Sequence, residues 1–288
     1  MSEVAAPGPS ELLADRYVLE EQVHSGGMSR VFRARDTTNG EVVAVKRPAR
    51  DDPQTLTRFA EEGEILASLS HPAIVRAISR GGSTFVDAHI ATEWLDGETL
   101  AHCLVAGPLT LLDAVSVVRR AAEALAMVHR SKITHRDLKP ANLVLCGGSA
   151  MHTKLIDFGI ARRETARGLV VHSSFAGGTW AYMSPEQAMG SAELGARADI
   201  YSLGCVLFEA VSGSPAFPGD RAGALVAKVW QPPPNLTDLC EDVPKPLAQL
   251  VLKMLATDPL GRQRDAGVLV TELLALGKLP ERAAKRRT

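Results

Sequence analysis

Cysteine is scarce and scattered. Cys103, Cys146, Cys205 and Cys240 show no CxxC spacing, which excludes a zinc finger or a disulfide framework and fits a reducing compartment. An excess of one charge is also missing. With 32 Lys and Arg against 33 Asp and Glu, the formal net charge is −1, so the whole molecule offers no electrostatic footprint for nucleic acid or an acidic partner. No run of about 18 uncharged apolar residues occurs. The most apolar stretch, near Leu203 to Val211, is broken by Glu209, and no membrane span is expected. The opening SEVAAPGPS lacks the basic start and apolar stretch of a signal peptide and reads as a short flexible tail. The basic ERAAKRRT at the other end reads as a solvated end, the sharper alternative being a lead toward a membrane or a further domain.

What is present is enough for a sizeable core: 288 residues, 45% of them apolar. Between Tyr17 and Ile90 short β-type runs (VVAVK, TFVDAHIA) alternate with turn residues such as Thr38-Asn39-Gly40, and one helix interrupts them. From Leu109 onward the spacing turns helical, with Val115, Val118, Ala122 and Leu125 three or four residues apart and Thr110 with Asp113 as a capping start. A small sheet-rich half thus precedes a larger helical one. Asp96-Gly97 reads as a bend between them, and QPPPN at 231–235 as a loop in the second half. No internal repeat is visible.

Two charges in the first half fall on inward positions. Strand alternation in EVVAVK puts Val43 and Val45 on one face and Ala44 and Lys46 on the other. In the interrupting helix Leu56, Phe59, Leu66 and Leu69 form an apolar stripe, and Glu62 lies on it. A carboxylate there needs a partner; the bland alternative is a surface pair with Arg58, four residues earlier.

The second half carries THRDLKPANLVL at 134–145 and, twelve residues on, LIDFGIAR. Asp137, Lys139 and Asn142 lie within six residues between two apolar runs, so three polar groups face one place. Asp157 follows the strand-like KLI and precedes Phe158-Gly159, which puts a second carboxylate near the same mouth. A carboxylate and an amide oxygen are hard ligands of the kind Mg²⁺ takes, phosphate oxygens completing its shell.

With VAVK, the helix glutamate, HRDLKPAN, DFG and SPE at 184–186 in that order, residues from about 16 to 275 resemble the eukaryotic-type protein kinases, most closely the Ser/Thr kinases of bacteria. The resemblance implies an α+β, bilobal fold: a small antiparallel-sheet N-lobe with one regulatory helix and a larger helical C-lobe. Residues 1–15 would be a flexible tail, 16–95 the N-lobe and hinge, 96–276 the C-lobe and 277–288 a basic tail. It implies phosphoryl transfer from ATP, with Mg²⁺ or alternatively Mn²⁺, to protein Ser or Thr hydroxyls. Lys46, paired with Glu62, would hold the phosphates; Asp137 would accept the substrate proton; Lys139 would place a positive charge beside the transferred group; and Asn142 and Asp157 would hold the metal. Thr92 would stand beside the adenine pocket, the backbone of Glu93 and Leu95 would bond the adenine edge, and Ala44 and Leu143 would sandwich its faces, with Val31 above. Asp199 would support the catalytic loop, and Glu186 with Arg262 would form a buried structural ion pair.

VHSGGMSRVF at 23–32 is either a phosphate loop or a plain hairpin. Laid on the family's GxGxxG, it has His24 at the first glycine, Gly26 at the second and Ser29 at the third, and Gly27-Met28 resembles the GGM of bacterial relatives. Gly26 is the position of closest backbone approach, so Val23, Gly26, Gly27 and Val31 are expected to cover the nucleotide. His24 is the departure, implying weaker ATP binding more than lost chemistry. By the same resemblance, Arg136 awaits an activation-loop phosphate, Ser173 and Ser174 are autophosphorylation sites whose bland alternative is ordinary loop residues, and Thr179 contacts Asp137 and the substrate backbone. Autophosphorylation implies a transient homodimer. The expected compartment is the cytoplasm, or the cytoplasmic part of a longer membrane protein. Two alternatives remain: a pseudokinase serving as a nucleotide-binding signalling module, and a small-molecule phosphotransferase.

Overall fold

The computed structural model describes residues 11–159, 161–163, 179–191 and 194–281. They fall into two compact units: residues up to Ser70 together with Val75–Asp96, and His71–Ile74 together with residues from Gly97 onward.

The first unit is a sheet of six strands: β1 (Leu12–Leu13), β2 (Tyr17–Ser25), β3 (Ser29–Asp36), β4 (Val42–Pro48), β5 (Ala77–Gly81) and β6 (His89–Glu93), ordered β1-β2-β3-β4-β6-β5. All its pairings are antiparallel. Alternation decides which side chains are covered. Leu13, Tyr17, Leu19, Ala34, Val43, Val45 and Ala91 pack as the core of one face, with Phe32 and Ile78 beside them. The Tyr17 hydroxyl, carried into that core, meets Ser79 Oγ at 2.6 Å. Helix α1 (Pro53–Ala67) starts at Asp52, whose carboxylate accepts from Thr55 N at 2.9 Å, with proline in the first turn. It buries Phe59, Glu62, Gly63, Ile65 and Leu66.

TFVDAHIA is strand only in its second half. Thr84 N and Oγ1 both donate to Asp87 Oδ1, at 2.8 and 2.6 Å, and Ala88 N donates to Thr84 O at 2.8 Å. These local bonds curl residues 84–87 into a turn ahead of β6, since Thr and Asp side chains offer the backbone an alternative to the ladder.

The second unit is mostly helical. It contains β7 (Gly97–Thr99), α2 (Leu100–Val105), α3 (Leu111–Arg130), β8 (Ile133–Thr134), β9 (Leu143–Cys146), β10 (Thr153–Leu155) and β11 (Arg162–Arg163). The helices α4 (Pro185–Ala188), α5 (Ala196–Ser212), α6 (Arg221–Trp230), α7 (Leu236–Leu239), α8 (Lys245–Met254) and α9 (Ala266–Leu274) follow. Thr110 caps α3, accepting from Asp113 N at 3.0 Å while its hydroxyl donates to Asp113 Oδ2 at 2.7 Å. The most apolar stretch becomes α5, whose residues are nearly all buried and which ends on Gly213 at φ 71°.

Gly97 is not a bend. It opens β7, paired with β9 through Gly97 to Cys146, and a Cβ there would lie 2.2 Å from Leu145 O. Glycine serves here for close strand approach, a demand that the Asp-Gly pair does not announce.

Candidate active site

In the first unit, β4 sends Val43 and Val45 into the core and leaves Ala44 and Lys46 half-buried on the opposite face. On that face Val31 stands opposite Lys46, and Thr92 opposite Ala44. Lys46 Nζ meets Glu62 Oε1 of α1 at 2.5 Å. Glu62 is only 6% exposed, so the ammonium supplies the partner that a carboxylate on an apolar stripe requires. At the C-terminal end of β6, Glu93 N donates to Arg76 O at 3.0 Å and its carboxylate accepts from Arg76 N at 2.7 Å. Trp94 next to it lies under the Arg33 guanidinium, 5.8 Å from the ring centre. Leu95 follows outside the strand.

VHSGGMSRVF is the β2–β3 hairpin. Gly26 N donates to Ser29 O at 2.9 Å, closing a tight turn over residues 26–28. A Cβ on Gly26 would stand 3.3 Å from His24 Nε2; the imidazole at the departed glycine position therefore lies over the glycine that is retained. Val23 is exposed and Val31 half-buried.

In the second unit the catalytic-type loop hangs from a single buried carboxylate. Asp199 of α5 accepts from His135 N at 2.9 Å, from Arg136 N at 2.8 Å and from His129 Nε2 of α3 at 2.9 Å. Burial opposes its charge, yet the bonds from His129 and from the Arg136 amide bring it below the usual carboxylate range. Arg136, itself buried, takes φ 68°, and Asp157 φ 63°. Left-handed backbone at a non-glycine residue costs on the order of 1–3 kcal/mol and persists where its surroundings over-determine it. Here they do: besides Asp199, Gln187 Nε2 of α4 donates to Arg136 O at 2.9 Å.

The strained turn presents Asp137. Its Oδ2 accepts from Lys139 Nζ at 2.8 Å, its carbonyl accepts from Asn142 Nδ2 at 2.7 Å, and its buried Oδ1 meets no hydrogen-bond partner among the described residues. Burial pushes the Asp137 carboxyl up, and the Lys139 ammonium restrains that rise. The β9–β10 ladder extends into this loop, Ile156 N donating to Asn142 O at 2.9 Å, which brings Asp157 alongside Asn142. Asp157 Oδ1 accepts from Gly159 N at 3.1 Å, and Phe158, buried, packs its ring 4.9 Å from that of His135. His135 is fully enclosed, and burial pushes its pKa down, keeping the imidazole neutral. Leu143 opens β9 with its side chain covered.

The donor set fits a hard cation bound together with a substrate. Among the described residues no three His, Cys, Asp or Glu side chains cluster as a metal cage. Asn142 commits Nδ2 to the loop, leaving its amide oxygen beside a carboxylate, the sparse set with which Mg²⁺ is held when phosphate and water supply the rest.

Glu186, in the first turn of α4, meets Arg262 through two bonds of 2.7 and 2.9 Å. Arg262 is 3% exposed. Its remaining N–H groups donate to the carbonyls of Arg197, Ala256 and Thr257, at 2.9, 2.7 and 2.9 Å. Ser173 and Ser174 lie outside the described residues, as does the side chain of Thr179. The residues that sequence reading passed over are Gln187, Tyr182 with Glu209, and Lys228. Lys228 carried a faint signal, a lysine four residues after Ala224 on the buried stripe of α6.

The protein kinase domain family matches residues 17–273. The serine/threonine-protein kinase PknB of Mycobacterium tuberculosis is 38% identical over 280 residues, covering 93% of this chain and 44% of its own length. The Mycolicibacterium smegmatis PknB has the same identity and coverage. A probable serine/threonine-protein kinase PknB of Lactococcus lactis is 33% identical over 282 residues, with 96% of this chain and 44% of its own covered. The chain thus spans less than half the length of these curated relatives.

Proposed function

From the premise that this chain belongs to the protein kinase domain family, we propose that it is a Ser/Thr protein kinase, transferring the γ-phosphoryl group of ATP to Ser or Thr hydroxyls of proteins. The observation that carries this reading is the loop in which Asp137, Lys139, Asn142 and Asp157 converge, pinned by Asp199. Asp137 takes the hydroxyl proton of the substrate: burial lifts its carboxyl, and Oδ1 is the oxygen that the loop leaves over for a ligand. Lys139, already within reach of Asp137, neutralises charge on the transferred group. Asn142 and Asp157 would hold the divalent cation, Mg²⁺ or Mn²⁺, which would supply positive charge to offset that of the phosphates. Lys46, oriented by Glu62, is the residue we assign to nucleotide phosphate oxygens. The work is alignment and charge stabilisation, because the transition state is loose and the protein makes no covalent bond in it.

Lys139 after HRDL favours Ser and Thr over Tyr as acceptors, and the long segment before SPE favours a protein over a small molecule. Ser173 and Ser174 remain the proposed autophosphorylation sites, through a transient homodimer. The binding-module alternative needs a missing group, and Lys46, Asp137, Asn142 and Asp157 are all present. All four cysteines are free thiols, which supports a cytoplasmic setting. No helix among the described residues is long and apolar enough to cross a membrane.

Transfer from γ-labelled ATP to a Ser/Thr protein tests the reading. Lys46→Met is expected to lower the rate about 10²-fold, the scale of one lost charge-stabilising donor, with an unchanged circular dichroism spectrum. Equal rates in parent and variant would contradict it. His24→Gly is expected to tighten ATP binding several-fold in a calorimetric titration, because the imidazole now lying over Gly26 restricts the backbone meant to meet phosphate. An unchanged affinity would remove that role.

A further inference from the structure

Lys228 of α6 is 1% exposed, and nothing in the chemistry assigned so far uses it. Its ammonium lies between two aromatic faces, 5.2 Å from the Tyr201 ring centre and 5.1 Å from that of Phe217. Nζ donates to Ala181 O at 2.6 Å and sits 3.8 Å from Cys205 Sγ. Among the described residues no carboxylate acts on it, and burial pushes its pKa below the ordinary lysine range. An ammonium here is costly to hold, and an apolar side chain of similar length would fill the same space without that cost. What the lysine adds over such a residue is a charged bond to a backbone carbonyl and a longer, weaker one to Cys205 Sγ, with the ring faces easing its burial.

That carbonyl has a telling position. Ala181 ends the helical turn Thr179–Ala181. The next residue, Tyr182, donates its hydroxyl to Glu209 Oε2 of α5 at 2.6 Å. Ser184 and Gln187 then form a capping box, and Gln187 reaches Arg136 O, one residue before Asp137. Residues 181 to 187 are therefore fixed in sequence to α6, to α5 and to the catalytic loop.

We propose that Lys228 is a positioning residue for the protein substrate, holding the segment from Thr179 to Tyr182, through the Ala181 carbonyl, in the register that lets a peptide hydroxyl reach Asp137. This rests on the protein-kinase reading above. It separates Lys228 from a purely structural residue, since the effect falls on the peptide and spares the nucleotide.

Steady-state kinetics with a Ser/Thr peptide, varied against ATP, tests it with Lys228→Met, which keeps the apolar stem and removes the donor. The KM for the peptide is expected to rise about tenfold, the scale of one lost charged hydrogen bond. The KM for ATP and the melting temperature are expected to stay near those of the parent. Amide hydrogen exchange is expected to quicken at Tyr182 and Met183 in the variant, a readout that needs no turnover. A parent that phosphorylates peptides while the variant keeps its peptide KM and its exchange pattern would overturn the inference alone. So would a variant whose KM values stay fixed while kcat and melting temperature fall together, which marks Lys228 as structural. A parent that phosphorylates no peptide would overturn the kinase reading and this inference with it.

Discussion

Asp137→Asn is expected to lower phosphoryl transfer by about 10²- to 10⁴-fold, the usual contribution of a positioned general base, with the fold intact. The substitution keeps size and the bond from Lys139 can pass to the amide oxygen, so the catalytic loop retains its anchors at Asp199 and Gln187. What is lost is the negative charge, and with it the ability to accept a proton and the ion pair with Lys139. The parent should show the matching pH signature. Burial raises the Asp137 carboxyl, and a base works only when deprotonated, so kcat/KM falls on acidification through a pH above that at which an exposed aspartate titrates. In Asp137→Asn that limb disappears. A variant as fast as the parent, or a parent whose acid limb lies where an exposed aspartate titrates, would take the role away from this residue.

Arg262→Ala is expected to cost about 3–5 kcal/mol of stability in urea unfolding, as breaking a buried, fully bonded ion pair does. The loss exceeds one pair of charges. Arg262 bonds both oxygens of Glu186 and three backbone carbonyls, and its guanidinium lies 4.8 Å from the Tyr201 ring centre. Alanine leaves a carboxylate and three carbonyls short of a donor in a site that water reaches poorly. A cost under about 1 kcal/mol, that of an exposed pair, would contradict this account of the site.

The features that periodicity governs could be read from the sequence. Strand alternation places Lys46 away from Val43 and Val45, and helical spacing places Glu62 on the buried stripe; the two meet at 2.5 Å. Thr110 and Asp113 mark a helix start because an N-cap hydroxyl and its acidic neighbour three residues on are written in side chains. Contacts made through backbone atoms were illegible without the family resemblance or the coordinates. The anchoring of the catalytic loop by Asp199 uses the amides of His135 and Arg136, to which any residue types could contribute. Lys228 escaped notice for the same reason, its acceptor being the carbonyl of an alanine. Two local misreadings share a cause as well. Asp96-Gly97 looked like a bend because glycine's lack of a side chain serves turning and close approach equally. TFVDAHIA looked like one strand because the Thr84–Asp87 bonds that curl its first half compete with a β-propensity that hydropathy alone reports.

The central claim is that this chain moves phosphate from ATP onto protein hydroxyls with Asp137 as base. Intact-mass and peptide mass spectrometry of the purified chain and of Asp137→Asn, each incubated with Mg·ATP and a generic Ser/Thr protein substrate, addresses it most directly. Phosphate on Ser or Thr residues in the parent reaction and none in that of the variant is the predicted result. Saturable ATP binding by the parent with no phosphate on any protein, or equal phosphate in both reactions, would contradict it.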